Sequence, residues 1–251
     1  MLRAPVSISH TAYEVLWERA ELGVMPVAVS ISYPVRSLDN GSRMAKEAST
    51  ELGRAGLVRG ERVHPDLAAA LRALVNAERR YYGMYLSAAS PSGSGPLVAV
   101  HGSAAVLAML DARHLHLRPV PPEKAVAALI AALPPNRPGS GRSLSFRADE
   151  LSADGRPVRP ASARGSVMVP TSVTQGDVDR YVRLMTRPRA AMTYLYSVHD
   201  DRRCTHPLIA LDIDGDGRWL TSRQPGSGGV EWIGATPATA TTMIEQLTTP
   251  R

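Results

Sequence analysis

Three short stretches of this chain hold residues that could do chemistry. In "LDIDGDGRWL" (Leu211 to Leu220), Asp212, Asp214 and Asp216 take the first, third and fifth places of a calcium loop, and Gly217 takes the turn at the sixth. The twelfth place, which needs a bidentate Glu, is Arg223, and the flanks alternate like strands where helices would be required. Asp-Gly twice in succession suits a tight hairpin that uses positive φ, so the stretch reads as a turn with no metal. Cys204 and His206, two apart, would share a strand face, but no third group orients the imidazole for a nucleophile. His114 and His116 alternate in "RHLHLR" and form a solvent-facing pair more readily than a zinc site, which needs further ligands. Phosphate-binding glycine loops and nucleophile elbows are missing from the sequence. The reading is therefore a protein that is not an enzyme and needs no cofactor.

The elements that carry these residues occur twice. "PDLAAALRAL" (Pro65 to Leu74) sets Leu67, Leu71 and Leu74 on one helical stripe, and "GDVDRYVRLM" answers with Val178, Val182 and Met185. "YYGMYLS" is followed by "GPLVAV", "AVLAML" and "LHLRPV"; "AAMTYLYS" is followed by "HPLIAL", "RWLTS" and "VEWIGA". Each copy closes on a helix with proline near its start and just beyond its end, Pro122 to Pro135 and Pro237 to Pro250. A further strand is expected ahead of each series, "MPVAVSIS" (Met25 to Ser32) and "GRSLSF" (Gly141 to Phe146). The offset between copies drifts from 109 residues at Leu86 and Leu195 to 114 at Leu133 and Leu247. Strands joined by short turns with helices at the repeat ends predict an α+β fold: an internally duplicated, quasi-two-fold antiparallel sheet flanked by two helical clusters. Halves of about 1–135 and 136–251 are too small to be stable alone, so one domain over 1–251 is expected.

Composition agrees with a soluble globular chain: 251 residues, 44 % hydrophobic and 21 % charged, with a single cysteine that excludes an internal disulfide framework. Glu14, Glu18 and Glu21 interrupt the N-terminal stretch where an export signal would be apolar, so a cytoplasmic protein is expected. Of the net charge of +6, the stretch from Asn136 to Arg189 supplies +5, with ten arginines against five acids. Its central part, residues 154–174, is Pro/Ser/Arg-rich without helical or strand period and reads as a long loop. Clustered arginine also attracts phosphate, which gives the alternative function: a nucleic-acid-binding or regulatory protein using segment 137–189.

In order and spacing, "LWERAELGVMPVAVSISYP", "STELGRAGLVRGERVHPDLAAALRAL", "VLAMLDARHLHLRPVPPEKAVAALIAALPPNRPGSGRSLSF" and the run from "GRWLTS" to "MIEQL" resemble the EspG family of actinobacterial ESX type VII secretion-associated proteins. The resemblance implies a quasi-two-fold fold and a cytosolic chaperone that holds a PE/PPE-like secreted heterodimer soluble, its helix-hairpin tip resting in a groove between sheet and C-terminal helices. It places a partner-contacting loop at "SAASPSGSG", where Ser90, Pro91, Ser92, Gly93 and Ser94 lie. From position in the second copy, Arg223, Gln224 and Pro225 rim the same groove, with Trp232 and Met243 on the C-terminal strand and helix. The expected partners are the PE/PPE-like heterodimer and, weakly, a second copy of the chain, with no membrane.

Overall fold

A computed structural model describes residues 2–31, 38–60, 62–87, 93–147, 150, 152, 174–223, 229–234 and 236–247. The helices are α1 (His10–Arg19), α2 (Leu38–Arg54), α3 (Pro65–Asn76), α4 (Ala125–Ala131), α5 (Gln175–Thr186) and α6 (Pro237–Leu247). The strands of the main sheet are β1 (Val6–Ser9), β4 (Arg79–Ser87), β5 (Leu97–His101), β6 (Ala104–Leu110), β7 (His114–Val120), β8 (Leu144–Phe146), β9 (Arg189–His199), β10 (Arg202–Arg203), β11 (Leu208–Ile213), β12 (Gly217–Arg223) and β13 (Val230–Gly234); β2 (Val58–Arg59) and β3 (Arg62–Val63) form a separate hairpin.

The strand order is β1-β7-β6-β5-β4-β9-β11-β12-β13-β8, with β10 added beside β9. Read from the middle outwards, the two sides repeat the same connections, so the duplication seen in the sequence is a quasi-two-fold about the β4–β9 pair. That pair runs antiparallel from Arg79↔His199 to Ser87↔Ala191. Side-chain alternation then fixes the faces. Tyr82, Met84 and Leu86 share the first face with Met192, Tyr194 and Tyr196, while Leu195 packs into the core of the second face. Leu86 and Leu195 thus point to opposite faces, which corrects the 109-residue offset. A two-fold normal to the sheet needs an even offset between β4 and β9.

On the first face, α1, α2 and α3 bury Leu16, Leu52, Leu67, Leu71 and Leu74 against Leu97, Ala99, Leu115 and Leu117. Helix α5 lies on the same face of the other half, over Trp219, Trp232, Leu144 and Phe146. On the second face α4 and α6 pack on each other and on Val98, Val100, Leu107, Leu195, Ala210 and Leu220. The local starts of these helices are legible in their caps. Ser9 accepts from the Ala12 amide while Glu51 of α2 accepts from the Ser9 amide and hydroxyl, and Thr174 with Asp177 forms a reciprocal capping box for α5.

Two expected elements differ. Met25 to Ile31, the described part of the strand expected to Ser32, is not a strand: Val27–Val29 forms a 3-10 turn that buries Ala28 and Val29, and the strand in this half that pairs beside β7 is β1. Both edges of β4 are already taken by β5 and β9, so the turn packs on the face of the sheet, where the Ala28 carbonyl accepts from the Gly95 amide. The helix expected over Pro122 to Pro135 is shorter, a 3-10 turn at Pro122–Lys124 followed by α4 ending at Ala131.

The acidic hairpin ties down the start of the second half. Asp212 receives two hydrogen bonds from Arg218, 2.6 and 2.8 Å, and both side chains are buried. Asp216 accepts from the Ser140 amide at 3.0 Å, from the Ser140 hydroxyl, and from the Trp219 indole at 3.2 Å. Residues 137–140 run beside the start of β12, exchanging backbone bonds with Arg218, and Gly139 lies where a Cβ would strike the Trp219 ring. Two of the three carboxylates are thus ligands of the protein itself, and Asp214 is exposed.

Burial pushes the Asp216 carboxyl up, but its hydrogen bonds from Ser140 and Trp219 and the nearby Arg187 outweigh this and hold it below its ordinary 3.8. Asp216→Asn is expected to cost about 1–3 kcal/mol at neutral pH in urea unfolding. Because the folded value is depressed, that contribution is complete above the ordinary value and fades as pH falls through the folded one, so wild type and variant converge in acid. A gap that stays constant into acid would show that the charge is not what holds residues 137–140.

Candidate functional site

Helix α3 packs over β5 and β6, and α5 is anchored over β8, β12 and β13 by Tyr181, whose ring stands edge-on to Phe146 at 5.4 Å and to Trp232 at 5.5 Å. Between them lie β4, β9 and β11. Three strands spaced by about 4.8 Å leave a trough roughly 10–15 Å wide, the diameter of one α-helix with its side chains. Its floor is Tyr82, Met84, Leu86, Met192, Tyr194, Tyr196 and Ile209, all half-buried. Register sets Met84 beside Tyr194 and Tyr194 beside Ile209. Tyr82 and Tyr196 stack at 5.0 Å. Val27, on the turn that borders β4, is 61 % exposed, and Val182 on α5 is 50 % exposed. An apolar floor with exposed apolar residues beside it is the composition of an interaction face.

One end of the trough is charged. β10 extends from β9 with Arg203 opposite Val198, so the Arg203 side chain emerges on the first face. Its guanidinium sits 5.1 Å above the Tyr196 ring and hydrogen-bonds the Tyr82 phenol. Arg80, the neighbouring cation, is held by Asp201 at 2.6 Å and by the Val75 carbonyl. At the other end, Gly93 packs on Met84 and Leu86, where a Cβ would meet both side chains at 3.5 Å. Gly95 is pressed so close to the Gly83 carbonyl that an added Cβ would fall 2.2 Å from it.

The structure divides the residues expected to contact a partner. Gly93 and Ser94 lie at the Leu86 end of the trough, and the Ser94 carbonyl accepts from the Tyr85 amide. Ser90, Pro91, Ser92, Gln224 and Pro225 fall outside the described residues, as does most of the arginine-rich segment 154–174. Arg223 ends β12, which runs antiparallel to β4 two strands beyond β9, so the two loops leave opposite ends of the sheet. Trp232 faces the same side but is 4 % exposed beneath α5. Met243 packs on the second face. There, a cavity of about 250 Å³ between α4, α6 and the sheet is lined by Leu133, Leu195, Leu220 and Ala240. It falls below the roughly 300–1,000 Å³ of ordinary ligand pockets.

The floor residues were not singled out from the sequence. Their signal was a run of Tyr and Met on the face of a strand opposite its buried residues, visible only once the neighbours of β4 and β9 were known. The other candidates stay apart. On the outer second face the His116 ring is hydrogen-bonded with the Ser7 hydroxyl at 3.1 Å and donates to the Asp111 carboxylate at 2.7 Å. That bond, with the Arg113 and His114 amides, holds the exposed Asp111 carboxyl well below the usual carboxylate range. No group of His, Cys, Asp and Glu able to hold a metal occurs among the described residues. Cys204 sits at the end of β10, its amide bonded to the Ser197 carbonyl, and His206 is exposed.

A family model of the EspG family matches residues 9–249. The chain belongs to the EspG family. No curated protein matches it. Among solved structures, this EspG chain is similar to the type VII secretion system chaperone EspG5 of Mycobacterium tuberculosis, solved in complex with the PE25-PPE41 dimer. The TM-score is 0.65 at 13 % identity, over 97 % of this chain and 95 % of that one. The likeness establishes a shared fold, including the large central antiparallel sheet. No helix among the described residues is long and apolar enough to cross a membrane.

Adjacent residues on β9 separate core from surface. Leu195→Ala is expected to destabilise the protein by about 2–5 kcal/mol, whereas Tyr194→Ala costs no more than about 1 kcal/mol. Equal losses in urea unfolding would mean that the trough is covered core and not a free face.

Proposed function

We propose that this EspG protein is a cytoplasmic chaperone that binds a PE/PPE-like helical heterodimer and keeps it soluble for export by an ESX type VII secretion system, by binding alone and with no bond-making chemistry. The observation that carries the reading is the half-buried Tyr/Met floor between α3 and α5, in a chain of this family. Burying apolar surface drives such an association without a catalytic group, and aromatic and methionine side chains are enriched where one protein surface meets another. The trough's width suits a helix or the tip of a helix hairpin. EspG5, the similar chaperone, was solved with a PE25-PPE41 dimer, and the same class of client fits this floor. In this reading the groove lies between the sheet and α5, and the halves 1–135 and 136–251 act as one domain because each supplies part of the floor.

Tyr194→Asp introduces a charge at the centre of the floor. Co-expressed with a PE/PPE-like pair that co-purifies with the wild type, the variant is expected to lose at least about tenfold in affinity, while its own unfolding midpoint stays near that of the wild type. The reading fails if PE/PPE-like pairs, PE25-PPE41 included, leave the wild type unbound while DNA or RNA is retained at physiological salt.

A further inference from the structure

The floor straddles the quasi-two-fold, and cross-strand pairing puts Tyr82 with Tyr196 at one end, Met84 with Tyr194 at the centre and Leu86 with Met192 at the other. The backbone arrangement alone would let a helix-hairpin tip seat in either of two orientations. The trough's two ends differ in charge. Arg203 belongs to β10, which follows β9 in the second half; in the first half the chain returns from β4 to β5 with no strand paired at that place among the described residues. Arg203 is exposed, stacked on Tyr196, and has no carboxylate within ion-pair distance among the described residues, whereas Arg80 beside it is matched by Asp201. Contact with the ring and with the Tyr82 phenol already restricts the guanidinium's rotamers, so little further order is lost on binding, and an arginine carries more N–H donors than one phenol takes. Planar donors of this kind match a carboxylate.

The geometry points to Arg203, held over the Tyr196 ring and beside the Tyr82 phenol, as the anchor for an acidic side chain beside the apolar tip of the client, which sets the direction in which the client lies in the trough. The inference rests on the docking reading above and adds to it the chemistry of the partner: an apolar helix-hairpin tip carrying one Asp or Glu at its Arg203 end. Apolar contact with the floor supplies the bulk of the affinity, and the carboxylate breaks the two-fold ambiguity.

The test uses the full chain and a displayed library of two-helix hairpins randomised at the tip, selected on the wild type. Selected hairpins are expected to carry Asp or Glu next to apolar tip residues. For the best of them, Arg203→Gln lowers affinity roughly five- to tenfold at about 50 mM salt, and by less at about 300 mM salt. Replacing the hairpin's acid by its amide produces the same loss, and the two changes together lose no more than either alone. Selected tips without acids, or losses that simply add, would overturn the anchor. Selected hairpins whose binding survives Tyr194→Asp would overturn it too, and with it the trough as docking surface; sensitivity to Tyr194→Asp together with additive losses removes only the role of Arg203.

Discussion

The structure depends on the antiparallel register between β4 and β9. Pairing Arg79 with His199 and Ser87 with Ala191 fuses two five-strand units, with β10 added beside β9, into a continuous sheet. It also decides, residue by residue, which side chains face α4 and α6 and which face the trough. A shift of one residue would send Leu195 out and Tyr194 in. The register is specified because the second face is fully packed there, with Tyr81 and Leu195 in the core beneath α4 and α6. Packing on one face therefore keeps the other face uniform. The tyrosines and methionines of the first face remain half-buried because their strands cannot slip to hide them.

The connections on either side reinforce the same choice. Gly95 allows the returning chain to lie against β4 where a side chain would collide with the Gly83 carbonyl. On the far side, Asp216 and Arg218 tie residues 137–140 to the start of β12. The chain between the halves is thus attached to the second half as an added edge, beside the place where β13 ends its own pairing at Gly234. Gly139 and Gly234 meet there, and a Cβ on Gly234 would strike the Gly139 carbonyl.

Much of the fold was legible in the sequence because it is repeated. The apolar runs "PLVAV" and "PLIAL", and the helices bracketed by proline, carry signals that are local and repeated. The acidic hairpin reads as a turn because Arg223 stands at the twelfth place and its flanks alternate like strands. What was not legible depends on distant neighbours. "MPVAVSIS" has the composition of a strand, but β4 had no edge left to offer it. The offset taken from Leu86 and Leu195 matched two leucines of like type that face opposite ways, an error that only the strand register reveals. The interaction face was hidden for the same reason. Tyr82, Tyr194 and Tyr196 look like ordinary core residues until the placement of α3 and α5 leaves them partly open. Trp232, which looks like a surface aromatic near a loop, is closed in by Tyr181.

The two-fold arrangement about β4 and β9 is what a symmetric dimer of half-length chains would have, each presenting β4 or its equivalent to the other. In such a dimer every position exists twice, and a change at one end of the shared face is copied at the other. Joining the two copies into one chain removes that restriction, so that mutations on either side are inherited separately. β10 shows what that freedom permits: a two-residue strand, present on one copy among the described residues, is enough to make the two ends of the shared face differ.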